Sequence, residues 1–176
     1  MSGRTWVCAD HHFGHKNILT FKDNDGNLIR GAKFKTIEEH DDELVARHNA
    51  VVDDNDRVYM LGDCCISRNA RHTLGRLRGR LVLVKGNHDI FKLSDYLPFF
   101  DDIRSCVVQK DHDGNKVILT HIPIHPDSLG RFGTNIHGHY HQNKLDDPRY
   151  VCVSLEHLDY KPIQIHEALA MRELRV

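Results

Sequence analysis

The stretch LVLVKGNHD, residues 81–89, sets an uninterrupted apolar run against a turn of polar groups. Four apolar residues in a row, Leu81–Val84, read as a strand buried on both faces, the habit of sheets covered by helices. Gly86 then permits a tight turn, and Asn87, His88 and Asp89 follow at the strand's carboxyl end. The arrangement recurs along the chain. Thr5–Ala9 stops at Asp10-His11-His12, and Arg57–Leu61 stops at Gly62-Asp63. Asn115–Thr120 stops at His121, and Thr134–His137 stops at Gly138-His139-Tyr140-His141. In open α/β sheets, ligands bind beyond the carboxyl ends of strands, where rigid elements hold converging loops.

Between these strands the pattern changes period. Thr36 with Glu39 three residues on is a capping-box signature, and Leu44, Val45, His48 and Val51 or Val52 supply the buried stripe of the helix it opens. Ser67–Leu77 reads as a second helix, and Ile165–Leu174 as a terminal one after Pro162. Residues 23–31 are loop by composition, and Asp53–Asp56 is a turn. Ile103–Lys110 and Asn115–Thr120 flank Asp113-Gly114, a strong hairpin signal, and Tyr150–Leu155 is a further strand. An α/β first half precedes a strand-rich second half. Element order alone fits both a doubly wound sheet and a two-sheet sandwich.

At 176 residues with no linker or repeat, the chain is expected to be one domain spanning 1–176. Its 24 basic and 25 acidic side chains leave a net charge of -1, which does not indicate nucleic acid as a general partner. A local basic segment, Arg68, Arg71, Arg76, Arg78, Arg80 and Lys85, contains no acid; it is expected to be a solvated face balanced by acids elsewhere. The five cysteines include no Cys-x-x-Cys pair. No apolar run approaches the roughly 20 residues that span a bilayer, so no membrane partner and a reduced, cytoplasmic location are expected.

The polar residues at the strand ends form a metal-capable set. Asp10 and His12, and likewise His139 and His141, lie two apart, so on extended backbone they point the same way with Cβ atoms about 7 Å apart. Carboxylate, imidazole and amide oxygen without thiolate suit Mn or Fe, with Ni or Zn also compatible. Seven ligands, Asp10, His12, Asp63, Asn87, His121, His139 and His141, exceed one four-coordinate site and match two ions sharing a carboxylate. Two metals about 3.5–4 Å apart form a clamp suited to in-line displacement at phosphorus.

The run Asp10-x-His12, Gly62-Asp63, Gly86-Asn87-His88-Asp89, His121 and Gly138-His139-x-His141 resembles the calcineurin-like metallophosphoesterase family. DHHFGHKNIL, residues 10–19, and the short chain are similar to its small bacterial and phage members. The resemblance implies a four-layer α/β/β/α sandwich of two mixed β-sheets flanked by helices. It implies that Asp10, His12, Asp63 and His141 surround one divalent transition-metal ion and that Asp63, Asn87, His121 and His139 surround a second, with Asp63 bridging. It further implies that His88 faces the substrate as general acid and that Asp89 orients His88.

On that basis the expected activity is hydrolysis of a phosphate ester by in-line attack of a hydroxide held between the ions. A short chain leaves little material for a deep pocket, and an open site admits the second arm of a diester, so phosphodiesterase is favoured over phosphomonoesterase. A metal-dependent nuclease and a non-catalytic binding scaffold are the other readings. The expected partner is a small phosphate ester or nucleotide-like substrate; monomer and homodimer both fit. His11 is expected to pack, His15 to cap a helix, His125 and His137 to be structural, and Cys64 to point away from Asp63. His40, His48, His72, His112, His157 and His166 are expected at or near the surface.

Overall fold

The computed structural model describes residues 3–172. Two mixed sheets flanked by helices make up the fold, as the resemblance implied. The first sheet is built from β1 (Thr5–Cys8), β2 (Arg57–Met60), β3 (Arg80–Val84) and β4 (Asp102–Arg104), all parallel. A ninth strand, β9 (Ile163–Gln164), closes the β1 edge antiparallel, giving the order β4-β3-β2-β1-β9. The second sheet runs β5-β6-β7-β8, from β5 (Val107–Lys110), β6 (Lys116–Thr120), β7 (Thr134–His137) and β8 (Tyr150–Cys152). Only β5 runs against its neighbour; β6, β7 and β8 are parallel. Carboxyl ends of the parallel strands therefore gather at one edge of each sheet.

Helix α1 (Ile37–Val51) starts as its sequence requires, with the Thr36 hydroxyl accepting the Glu39 N–H at 3.1 Å. The Glu39 carboxylate returns to the N–H of Lys35 at 2.8 Å, one residue before the position the capping box uses. Short α2 (Leu93–Tyr96) follows β3, and α3 (Ile165–Ala170) packs on β1 and β9. A single apolar core runs through both sheets, from Trp6 in β1 to Ala168 in α3, and includes Tyr96 and Phe100 as closing groups. No helix of the described residues is long and apolar enough to cross a membrane.

Several elements depart from their sequence reading. The stretch 103–110 is two strands: β4 completes the first sheet and β5 begins the second, with Ser105-Cys106 carrying the chain across. Apolar alternation cannot show which sheet a strand joins. Residues 67–77 form a 3-10 helix, Asn69–Arg76, and Tyr150–Leu155 ends as a strand at Cys152. The terminal helix is described to Ala170; residues 173 and 174 of that reading lie outside the described residues. His40 and His48 are buried, 0% and 1% exposed, where surface positions were expected.

Candidate metal centre

All seven expected ligands lie just past the carboxyl ends of their strands, where the edges of the two sheets meet. A bridge between Ala9 and Ser154 links the end of β1 to the segment after β8. Asp10 Oδ2 accepts the His139 N–H at 2.9 Å and the Ser154 hydroxyl at 2.6 Å, tying one sheet to the other. Two glycines make this approach steric rather than accidental. A Cβ at Gly138 would overlap Ala9 and the Asp10 carboxylate, and one at Gly86 would overlap the Asp63 carboxylate.

The side chains collect into two groups. Asp10, His12 and His141 offer ligand atoms within 4.8 Å of one another, and so do Asp63, His121 and His139. Asp63 stands between them: Oδ2 is 3.7 Å from His12 Nε2, and Oδ1 is 3.4 Å from His121 Nε2. Asn87 Oδ1 lies 2.8 Å from His121 Nε2, which joins it to the second group. His121 Nδ1 donates to the Leu61 carbonyl at 2.9 Å, which turns Nε2 toward Asn87 and Asp63; burial lowers the pKa of the ring, but the hydrogen bond to Asp63 and the charges of Asp10 and Asp63 raise it overall.

Convergence is achieved by curled backbone, not by the extended segments expected from spacing. Asp10, His12, Asp63, His139 and His141 all have positive φ, from 49° to 71°. Left-handed backbone is uncommon outside glycine, although Asp and His adopt it more readily than most, and each instance costs about 1–3 kcal/mol. Five such residues at one edge are strain concentrated on the ligand set. Curling also turns the intervening residues away. His11 is buried against Phe13, with ring centroids 5.3 Å apart, and takes no place in either group. Cys64 likewise points into the core, where burial pushes its thiol well up and leaves it unreactive.

Electrostatics fit a cation. Burial raises the Asp10 carboxyl to about 6 against the pull of His141, His121 and Ser154. Asp10 Oδ1 and His12 Nε2 are buried and make no hydrogen bond. Burial, with Arg30 and neighbouring imidazoles, holds His12 well below the usual histidine range, and burial likewise lowers His139; both are neutral, the form that ligates metal. Burial alone would raise Asp63, but the His121 bond and charge and the His88 N–H hold it below the ordinary carboxylate range. An unpartnered carboxylate oxygen, Asp10 Oδ1, beside the neutral His12 is a place that a divalent cation would fit.

His88 sits on the open side, whereas Asp89 is buried. The His88 ring is half-buried, edge-on to His12 with centroids 5.5 Å apart, and the backbone N–H of His88 donates to Asp63 Oδ1 at 2.8 Å. Asp89 does not hold the His88 ring as expected. Its buried carboxylate accepts the backbone N–H groups of Asp63, Cys64 and Gly86 at 2.8–2.9 Å, pinning the two loops that carry Asp63 and His88. Carboxylate capacity spent on three backbone donors fixes loops, not a tautomer.

His15 caps nothing with its side chain; its Nδ1 lies 3.3 Å from His12 Nδ1, and its ring flanks His88 and the half-exposed Phe21. His137 is buried behind the site between Tyr140 and Tyr150, and exposed His125 caps the 3-10 helix Pro126–Arg131. The basic segment behaves as a balanced surface: Arg71 pairs with Asp95, Arg76 with Asp42 and Arg80 with Asp101. A cleft of about 340 Å³ opens beside His139 and His141, walled by Phe21, Lys22, Tyr140 and Asn143.

Sequence reading missed a buried charged layer behind His141. Glu156 Oε1 accepts from His141 Nδ1 at 2.9 Å and from Arg30 at 2.9 Å. Arg30 is fully buried and also reaches His40, which bonds Asp41. A signal for part of it exists, since Ile37, His40, Asp41, Leu44, Val45 and His48 repeat at helical spacing and form the buried stripe of α1.

No family model matches the chain. The uncharacterized protein MJ1445 of Methanocaldococcus jannaschii is 32% identical over 173 residues, covering 92% of this chain and 87% of that protein. The crystal structure of AQ665 from Aquifex aeolicus, a protein of unknown function, shares the fold: its TM-score is 0.75 at 24% identity, covering 96% of this chain and 99% of that one. An archaeal phosphodiesterase structure aligns at a TM-score of 0.46 with 18% identity, over 86% of this chain and 82% of that chain.

Proposed function

We propose that this chain, which belongs to the family of the uncharacterized protein MJ1445 of Methanocaldococcus jannaschii, is a phosphoesterase dependent on two divalent metal ions, with small phosphodiesters as its preferred substrates. The observation that carries the reading is the pair of adjoining Asp/His groups, with Asp63 standing between them and five of their residues on left-handed backbone. Asp10, His12 and His141 would hold one ion, and Asn87, His121 and His139 the other, with Asp63 serving both. Bound ions of this kind act as Lewis acids and lower the pKa of water toward neutrality.

The chain's own groups supply the rest. Water adds its oxygen to phosphorus and releases a proton to solvent, the ester P–O bond opposite breaks, and the leaving oxygen takes a proton from the His88 imidazolium, which solvent then reprotonates. His88 stands half-exposed beside the Asp63 end of the site, where a leaving group can reach it. Asn87, exposed at the rim, donates through its amide to a non-bridging oxygen when its carbonyl faces the second group. The cleft by Phe21, Lys22 and Tyr140 has room for the second arm of a diester, which favours phosphodiesterase over phosphomonoesterase. Pairing of the arginines with acids disfavours the nuclease reading, which needs a free basic track.

The test is turnover of bis(4-nitrophenyl) phosphate and 4-nitrophenyl phosphate by chelator-stripped chain before and after Mn2+ is restored. Diester hydrolysis that returns with the metal, and exceeds monoester hydrolysis, is expected. Hydrolysis of neither ester by chain shown to carry both ions overturns the catalytic reading in favour of a binding scaffold.

A further inference from the structure

The two ligand groups are supported by different means. Behind the Asp10–His12–His141 group lies Arg30, fully buried and contributed by a loop that is otherwise turn and bend. Its guanidinium donates to the backbone carbonyl oxygens of Asp10 and His11 and pairs with Glu156, and Nη1 meets His40 Nε2 at 3.0 Å. Arginine is always the donor, so His40 Nε2 is an acceptor and its Nδ1 donates to Asp41 Oδ1 at 2.8 Å. Asp41 Oδ2 accepts the Gly14 N–H at 2.9 Å, which returns the chain of bonds to the loop holding His12. Glu156 ends the series with His141 Nδ1.

We propose that Glu156, held by Arg30, is the positioning residue for one metal position only: it fixes His141 with Nε2 toward Asp10 and His12, while Arg30 holds the curled Asp10–His11 backbone. The proposal rests on the metal-centre reading above. Three observations carry it. Nδ1 of His141 is committed to Glu156, leaving Nε2 as the ligand atom. Arg30 and Glu156 are 126 residues apart in sequence and buried together, so neither is placed by local structure. None of the hydrogen bonds in this layer goes directly to Asp63, His121 or His139, whose partners include the Leu61 carbonyl and Asn87 for His121, the His88 and His12 N–H groups and Asp89 for Asp63, and the Asp10 carboxylate for His139. A hydrogen-bonded partner behind a ligating histidine is worth about 10–100-fold in metal affinity.

Removing Glu156 alone would strand a buried guanidinium, so the test uses two paired variants, Arg30→Met with Glu156→Ala and Arg30→Met with Glu156→Gln. Mn2+ binding to metal-stripped chain is followed by calorimetry, with thermal melts of each metal-free variant to show cooperative unfolding. The Ala pair is expected to bind one Mn2+ about 10–100-fold more weakly and the other within about threefold of the parent. The Gln pair keeps an oxygen for His141 Nδ1 and recovers most of the loss. Equal weakening of both ions, no weakening of either, or no recovery in the Gln pair overturns the assignment. Parent chain that binds no Mn2+ fails the metal-centre reading itself, and because the readout is binding, a failure of ester hydrolysis alone leaves the positioning role standing.

Discussion

Asp10, His12 and His141 are the same kinds of side chain as Asp63, His121 and His139, yet the two groups are built differently. The first leans on a buried ion pair recruited from residues 30 and 156 and on the His40–Asp41 pair of α1. The second leans on backbone: a carbonyl at Leu61 for His121 and an N–H at His88 for Asp63. Both sets of supports need the fold to close, since Leu61 and His121 lie 60 residues apart and Asp63 and His88 lie 25 apart, but the first is made of buried charge and the second of backbone groups. Damage to one set of supports should therefore be readable separately from damage to the other, except at Asp63, which stands between the two groups.

Asp63→Asn tests that exception and should have the largest effect. An amide keeps the shape, surrenders the charge and turns a donor toward one of the two groups. Both ions should be lost together on elemental analysis, and activity should fall to the level of stripped chain. Retention of one full equivalent of metal would show that the groups are independent.

His88→Ala should leave both groups loaded. On an ester with a poor leaving group, kcat should drop by roughly 10²–10⁴. The drop should shrink sharply on a nitrophenyl ester, because a nitrophenolate departs without a proton. Equal loss on both esters, accompanied by loss of an ion, would make His88 a ligand.

Gly138→Ala addresses the floor common to both groups. The added methyl meets Ala9 and the Asp10 carboxylate, and overpacking of this kind costs about 1–3 kcal/mol. Chemical denaturation should record that loss, and Mn2+ should restore part of it. Unchanged stability would mean that the loops are not in contact as described.

Asp56→Asn is the remote control, far from either group in the fold's framework. Its carboxylate accepts from Arg4 N, Arg4 Nε, Trp6 Nε1 and Asp53 N. Burial alone would raise its pKa, but these bonds hold it at about 2, below the ordinary 3.8. A depressed carboxyl stabilises the fold above its ordinary pKa, and that contribution is lost as pH falls from about 4 to about 2. The variant should be about 1.5–3 kcal/mol less stable at neutral pH, with a flatter acid limb between those values and unaltered metal content. An acid limb identical to the parent's would remove Asp56 from this role.

Legibility in the sequence divides along the same line as the two supports. All seven candidate ligands stand within a few residues of a strand end, so short motifs such as Gly62-Asp63 and Gly138-His139 expose them without knowledge of the fold. Strands β1, β2, β3 and β7 are legible for the same local reason. The division of 103–110 between two sheets is not, because nothing in the run from Ile103 to Val108 marks where one strand ends and the next, in the other sheet, begins. Arg30 and Glu156 are illegible singly: an arginine in a turn-rich loop and a glutamate in a 3-10 helix both read as solvent groups until the fold brings them together. His40 and Asp41 lay on the α1 stripe, but polarity masked a periodicity that their burial makes plain.

The central claim is that two adjoining groups, sharing Asp63, each take a divalent ion. Titration of metal-stripped parent chain with Mn2+, read by calorimetry and checked by elemental analysis after gel filtration, measures that directly. Saturation at two ions per chain is the predicted result, and saturation at one, or no binding, contradicts it.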